Sequence, residues 1–252
     1  MKPVNIVCMK WGTLYTPEYV NNLYNMVARN LSLPFRFICM TEIAEGIKPE
    51  VEILPLPDFR EPDWAYARYC SAWRKLALFA REPFGLQGKV MFLDLDVVIV
   101  DAIDCFFTYS DKLAIIENWS QKGKMIGQSS VFCFEAGTCT DLLEKYNNQH
   151  EIVMQNNRTE QLYITRELGP ERFDFFPEEW CKSFKMHCMP GGFLNSFMAP
   201  TKIPKNARII VFHGKPNPPD ALAGVWGQPV KPWFKKIYKT VKPTKWIADH
   251  WC

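Results

Sequence analysis

The run Gly88-Lys-Val-Met-Phe-Leu-Asp94-Leu-Asp96-Val-Val-Ile-Val100 constrains the architecture more than any other stretch of the chain. Val90 to Leu93 has no polar alternation, so it reads as a strand buried on both faces, as in a parallel sheet. Asp94 and Asp96 interrupt the apolar run at i and i+2, and in an extended strand both would project to the same side. Open α/β sheets take ligands at the carboxyl ends of their strands, which is where this pair is expected. Two converging carboxylates are costly to desolvate unless a cation or hydrogen-bond donors satisfy them. An oxygen-lined site of that kind suits Mg²⁺ or Mn²⁺. A solvated strand end is the alternative, and the apolar residues on both sides weigh against it.

The flanking sequence supports an α/β order. Val4–Met9, Phe35–Met40 and Val51–Leu56 read as strands. A helix is expected from Thr16-Pro17, with Thr16 as N-cap, Pro17 at the first helical position and a buried stripe at Val20, Leu23, Tyr24 and Val27. A second helix is expected over Trp64–Phe79, with Tyr69, Trp73, Leu76 and Ala80 on its apolar face. This β-α-β-α-β succession predicts a mostly parallel central sheet flanked by helices. Further on, Leu113–Ile116, Ser130–Phe134 and Arg208–Phe212 read as strands, and Thr140–Tyr146 and Glu160–Glu167 as helices. The Pro- and Gly-rich stretch 189–220 suggests ordered loops over a site.

The bulk properties of the 252 residues, 48% hydrophobic and 23% charged, are those of a globular domain. No apolar run is long enough for a transmembrane helix, and no signal peptide is read at the start. The nine cysteines include no Cys-x-x-Cys, which argues for a reducing, cytoplasmic setting. Cys181, His187 and Cys188 lack a fourth zinc ligand.

Together, the β-α-β-α unit, the helix ending in Trp73-Arg-Lys-Leu-Ala-Leu-Phe79, the Leu-Asp-Leu-Asp-Val-Val strand and the late Phe212-His-Gly-Lys-Pro216 segment resemble a GT-A glycosyltransferase. The similarity is to the family 8 type that includes glycogenin and bacterial galactosyltransferases, and it spans most of residues 1–220. It implies a GT-A domain over 1–226 that transfers a sugar from a nucleoside diphosphate sugar, UDP-sugar favoured, with retention of configuration. It implies Asp94, Asp96 and His213 as ligands of Mn²⁺ or Mg²⁺ on the donor diphosphate. Lys75 and Lys215 match the family's donor-contacting lysines, and Leu95, Ser130 and Gly214 join the expected substrate contacts. The family's Asp-Gln near the reacting sugar corresponds to Glu160-Gln161. This chain compresses the family's His-x-x-Gly-x-x-Lys-Pro-Trp to His213-Gly-Lys-Pro216 and has Gln128-Ser-Ser130 where an Asn-x-Gly is usual.

The chemistry is coherent. Breaking the glycosyl–phosphate bond develops charge on a diphosphate, which a divalent ion stabilises. A neutral imidazole beside two carboxylates tilts the choice toward Mn²⁺, and Lys75 and Lys215 add point charges. In the loop Trp11–Tyr15, Tyr15 is expected to stack on the base and Thr13 to bond its edge. An inverting reaction would need a carboxylate base, for which Asp174, Glu178 and Glu179 are candidates.

Residues 227–252 form a basic aromatic tail. Six Lys (231, 235, 236, 239, 242, 245) stand against one Asp, among Trp233, Phe234, Ile237, Tyr238, Val241, Trp246, Ile247 and Trp251. Such a segment fits an anionic membrane interface on the cytoplasmic face, or else docks its apolar side on the domain. The membrane reading makes the acceptor a glycan or lipid-linked precursor, such as lipopolysaccharide core. Nucleic acid is not expected, because the basic charge is confined to the tail. Two other readings stay open: a haloacid-dehalogenase-like phosphatase with Asp94 as nucleophile, and a non-catalytic carbohydrate- or nucleotide-binding module.

Overall fold

In a computed structural model, which describes residues 2–59 and 72–252, the chain divides into two compact units. The first comprises the described residues of 2–14, 33–93 and 105–176, and the second comprises Tyr15–Ser32, Asp94–Asp104 and Pro177–Cys252.

The first unit is built on seven strands: β1 (Val4–Lys10), β2 (Phe35–Thr41), β3 (Glu52–Leu54), β4 (Lys89–Leu93), β6 (Leu113–Glu117), β7 (Gly127–Glu135) and β8 (Phe173–Phe175). Their order in the sheet is β3-β2-β1-β4-β7-β6-β8. Four of the six neighbouring pairs are parallel; β7 runs antiparallel to both β4 and β6. All seven residues of β1 are buried, as expected of a central strand covered on both faces. Among the described residues, three α-helices belong to this unit: α2 (Thr140–Asn148), α3 (His150–Asn156) and α4 (Glu160–Leu168). Its core is aromatic: Phe92 stacks on Phe132 with ring centroids 5.1 Å apart, and Trp73 stacks on Tyr146 at 5.5 Å. Each such buried ring is worth about 1.5–3 kcal/mol in burial alone.

The second unit holds α1 (Pro17–Asn30), a small sheet ordered β5-β10-β9, and two short helices, α5 (Pro218–Ala223) and α6 (Trp246–His250). Its strands are β5 (Val97–Ile99), β9 (Cys181–Ser183) and β10 (Ile209–Val211). Helix α1 starts after Thr16 with Pro17 leading, although the Thr16 side chain makes no capping bond. Its buried face is Tyr19, Val20, Leu23, Met26 and Val27. Tyr24 lies about 100° of helical rotation beyond Leu23 and is only half-buried, so the expected stripe shifts to Tyr19 and Met26.

Two expectations change. The run 88–100 is not one strand: β4 ends at Leu93, the chain turns through Asp94–Asp96, and β5 joins the other sheet. The carboxylates therefore sit in a turn at the carboxyl end of β4, and strand alternation does not set their directions. Of the expected helix 64–79, residues 64–71, Tyr69 among them, lie outside the described residues. The described part is a 3₁₀ helix over Ala72–Phe79 that buries Trp73 and Leu76, while Ala80 follows it half-buried. Among the described residues, Cys39, Cys133, Cys139, Cys188 and Cys252 are free thiols. Among the described residues, no helix is long and apolar enough to cross a membrane.

Candidate active site

The register of the small sheet assembles the site in the second unit. Val211 of β10 pairs with Val97 of β5, and Phe212 N–H donates to Asp96 O at 3.0 Å. The next residue, His213, is thereby carried to the Asp94–Asp96 turn from more than a hundred residues away. On the other side of β10, Val211 pairs with Ser183 of β9, and Ser183 Oγ shares a 2.7 Å hydrogen bond with His213 Nε2.

Each site group has defined partners. Tyr15 O–H donates to Asp96 Oδ2 at 2.9 Å, and its ring meets Tyr19 edge-on at 4.8 Å. Burial first, then the charges of Asp96 and Asp94, push the Tyr15 phenol far above its usual range, so it stays a donor. Burial, with Lys185 and His187 adding to it, lowers His213 to about 4. The imidazole is thus neutral at physiological pH, as an acceptor or metal ligand must be. Lys215 Nζ pairs with Asp220 Oδ2 at 3.1 Å, and the same oxygen accepts from Asn217 N–H at 3.0 Å. Asn217 and Asp220 form the capping box of α5.

Lys185 had no signal in the sequence. It enters from a single π-helical turn, Phe184–Cys188, and a Cβ built on Gly214 would lie 3.6 Å from its Nζ. Its pKa is lowered by burial and then by Lys239, with Asp96 opposing. Ser183, Tyr19, Asn217 and Asp220 are the other site residues that spacing did not reveal.

Lys75 and Glu160 are gathered in the first unit instead. Lys75 Nζ donates to Ser129 O (3.1 Å) and Ser129 Oγ (3.3 Å), and lies 4.9 Å from the centre of the Phe92 ring. Ser129 Oγ–H donates to Glu160 Oε1 at 2.5 Å, and Ser129 N–H to Gln161 Oε1 at 3.4 Å. Both charged residues are at most 5% exposed. Ser130 is engaged with Gln128 through two bonds, of 2.7 and 2.9 Å. Thr13 is exposed in its loop, and Leu95 is buried. Of the candidate bases, Asp174 is held by Ser110 (2.6 Å) and Lys112 (3.5 Å), and Glu178 by Lys182 (3.5 Å).

The donor chemistry of two carboxylates and a neutral imidazole suits a divalent ion. As the side chains stand, no group of three or more His, Cys, Asp or Glu among the described residues is close enough to share one.

The strand order, with Asp94–Asp96 in the turn at the end of β4, is the fold of GT-A glycosyltransferases. Asp94 follows four strands of the central sheet rather than the first, where the phosphatase motif would place it. Among solved structures the chain is similar to the galactosyltransferase LgtC in complex with donor and acceptor sugar analogs. The TM-score is 0.58 and the identity 13%, over 85% of this chain and 89% of that one. An active-site mutant of LgtC gives a TM-score of 0.55 over the same shares. The apo-form glycosyltransferase GlyE of Streptococcus pneumoniae TIGR4 gives 0.55 at 10% identity, over 86% of this chain and 56% of that one. No family model and no curated protein matches the sequence.

Proposed function

We propose that the protein transfers a sugar from a nucleoside diphosphate sugar, UDP-sugar favoured, to a glycan or lipid-linked acceptor, with retention of configuration. The observation that carries the reading is the β5–β10 register, which sets His213 against the Asp94–Asp96 turn at the end of a GT-A strand.

With their side chains turned toward one another from their present positions, Asp94, Asp96 and His213 would hold Mn²⁺ or Mg²⁺, and the ion would supply charge stabilisation to the departing diphosphate. The protein's own part is positioning. Tyr15 orients Asp96 by its hydrogen bond, Lys215 offers an ammonium kept in place by Asp220, and burial keeps His213 neutral. Glu160 and Gln161 are proposed for the reacting sugar, with Ser129 fixing both side chains.

The test is a thermal-shift and donor-hydrolysis screen of nucleotide sugars with Mn²⁺ or with a chelator. A donor at a hundred times its Kd stabilises the fold by about 2.7 kcal/mol. Asp96→Ala should abolish both the shift and the hydrolysis. Donor binding without turnover would favour a binding module, and phosphate release from phosphomonoesters would favour a phosphatase.

A further inference from the structure

His213 arrives beside the acidic turn with one ring nitrogen already engaged. Its Nε2 lies 2.7 Å from Ser183 Oγ, and that serine is fully buried at the end of β9. Several contacts pin Ser183 in place. It pairs with Val211 in the small sheet, and its N–H donates to His187 Nδ1 at 2.9 Å. Met186 N–H donates to Ser183 Oγ at 3.3 Å, so the serine caps the single π-helical turn Phe184–Cys188 that also carries Lys185. His213 itself is only half-buried.

The supply of donors and acceptors sets the direction of the Ser183–His213 bond. A serine hydroxyl has one proton to give and two lone pairs. Met186 N–H takes one lone pair, and among the described residues the hydroxyl proton meets no acceptor other than His213 Nε2. With Ser183 donating, Nε2 is the unprotonated nitrogen and Nδ1 carries the proton of the neutral ring. The opposite direction would use both lone pairs of Oγ and strand its proton in a buried position, which is costly. The bond between Tyr15 and Asp96 differs in kind. A carboxylate has two oxygens, so Asp96 can accept from Tyr15 at Oδ2 and still offer Oδ1 to a cation. An imidazole nitrogen has one lone pair, and whatever holds it excludes a second partner.

We infer that Ser183 is a latch on His213: its hydroxyl occupies the lone pair with which the imidazole would ligate a divalent ion, so the ion has to displace it. The inference rests on the metal-dependent transferase reading and names the residue that sets its metal affinity. It gives a physical reason why His213 does not converge with Asp94 and Asp96 as the side chains stand. Ser183 is fixed by strand pairing and by His187, so release comes from the turning of the His213 ring. That turn leaves a buried hydroxyl proton without its acceptor, and the cost is subtracted from the affinity of any ion that needs the ring nitrogen.

The test is Mn²⁺ titration of the full chain, with and without UDP, the free ion being read by electron paramagnetic resonance. Ser183→Ala should bind Mn²⁺ roughly three- to tenfold more tightly than the wild type, the affinity equivalent of one hydrogen bond. In a His213→Asn background the same substitution should change nothing, because the latch has no ring to hold. UDP binding in the presence of a chelator should be the same with Ser183 or Ala; a difference there would place the effect outside the metal and overturn the latch. Unchanged Mn²⁺ affinity in Ser183→Ala also overturns it, and so does a weakened one, which is the mark of a residue that orients His213 toward the ion. A second measurement needs only the wild type. In metal-free protein with isotope-labelled histidine, long-range proton–nitrogen spectra should show His213 protonated at Nδ1, its signals assigned by their loss in His213→Asn. A proton on Nε2 overturns the inference. If wild-type protein binds Mn²⁺ with UDP and either result goes against the latch, the latch alone falls. No Mn²⁺ binding by any variant, even with UDP, removes the metal-dependent reading and the latch with it.

Discussion

Tyr15 donates its hydroxyl to Asp96 Oδ2 at 2.9 Å, and so joins the start of α1 to the acidic turn. The ring that the loop suggested as a base-stacking platform meets Tyr19 edge-on, and its polar end orients a carboxylate only 8% exposed. A phenol held protonated beside two carboxylates acts as a fixed donor.

Tyr15→Phe should therefore cost about 1–3 kcal/mol in urea unfolding, the value of a hydrogen bond to a charged, buried acceptor. It should also weaken nucleotide-sugar binding by isothermal calorimetry, because Asp96 loses its orienting partner. Unchanged stability would show that Asp96 re-forms the bond with another group.

His213 gives the stability a specific pH dependence. Its folded pKa is about 4 against an ordinary 6.5, so between these values the unfolded chain binds more protons than the native one. The stabilising contribution is complete above about pH 6.5. It is lost as the pH falls toward 4 and levels off below that. Urea midpoints measured across this window should fall with acid, and His213→Asn should flatten that part of the curve.

Gly227 has room for nothing larger. With φ at +77°, a Cβ there would lie 2.0 Å from Asp220 Oδ2, the oxygen that holds Lys215 Nζ and caps α5. Gly227→Ala should destabilise by about 1–3 kcal/mol through backbone strain and the disturbed cap. Gly12→Ala, where φ is +56° but a Cβ meets nothing, carries the strain without the collision and should cost less in the same thermal melt.

The Lys75–Ser129–Glu160 chain is a buried charge network. Lys75→Met should cost about 1–3 kcal/mol, since it leaves Ser129 O buried without its donor and takes the charge away from the Ser129–Glu160 bond. Adding Glu160→Gln should recover part of that loss, and a double-mutant cycle by urea unfolding would show the coupling. Strict additivity would mean that the two residues act independently.

Local chemistry accounts for what could be read from the chain alone. Continuous apolar runs bounded by turn residues marked β1, β2, β4 and β7, and Pro17 after Thr16 marked the start of α1. Neighbours within a few residues dictate these features, as they do the Asp94–Asp96 pair at the carboxyl end of an apolar run. Only the tertiary structure decided that the run 88–100 belongs to two sheets, because strand pairing depends on partners far away in the sequence. The same long-range register seats His213 beside Ser183 and Asp96, and it alone reveals Lys185, which no local pattern distinguishes from a solvated lysine. The tail shows the division most plainly. Its composition announced a basic aromatic segment, but packing buried Val241, Ile247 and Trp251 and left Trp233 in water. Burial is a property of the whole fold, and identical side chains acquire opposite roles according to what lies above them.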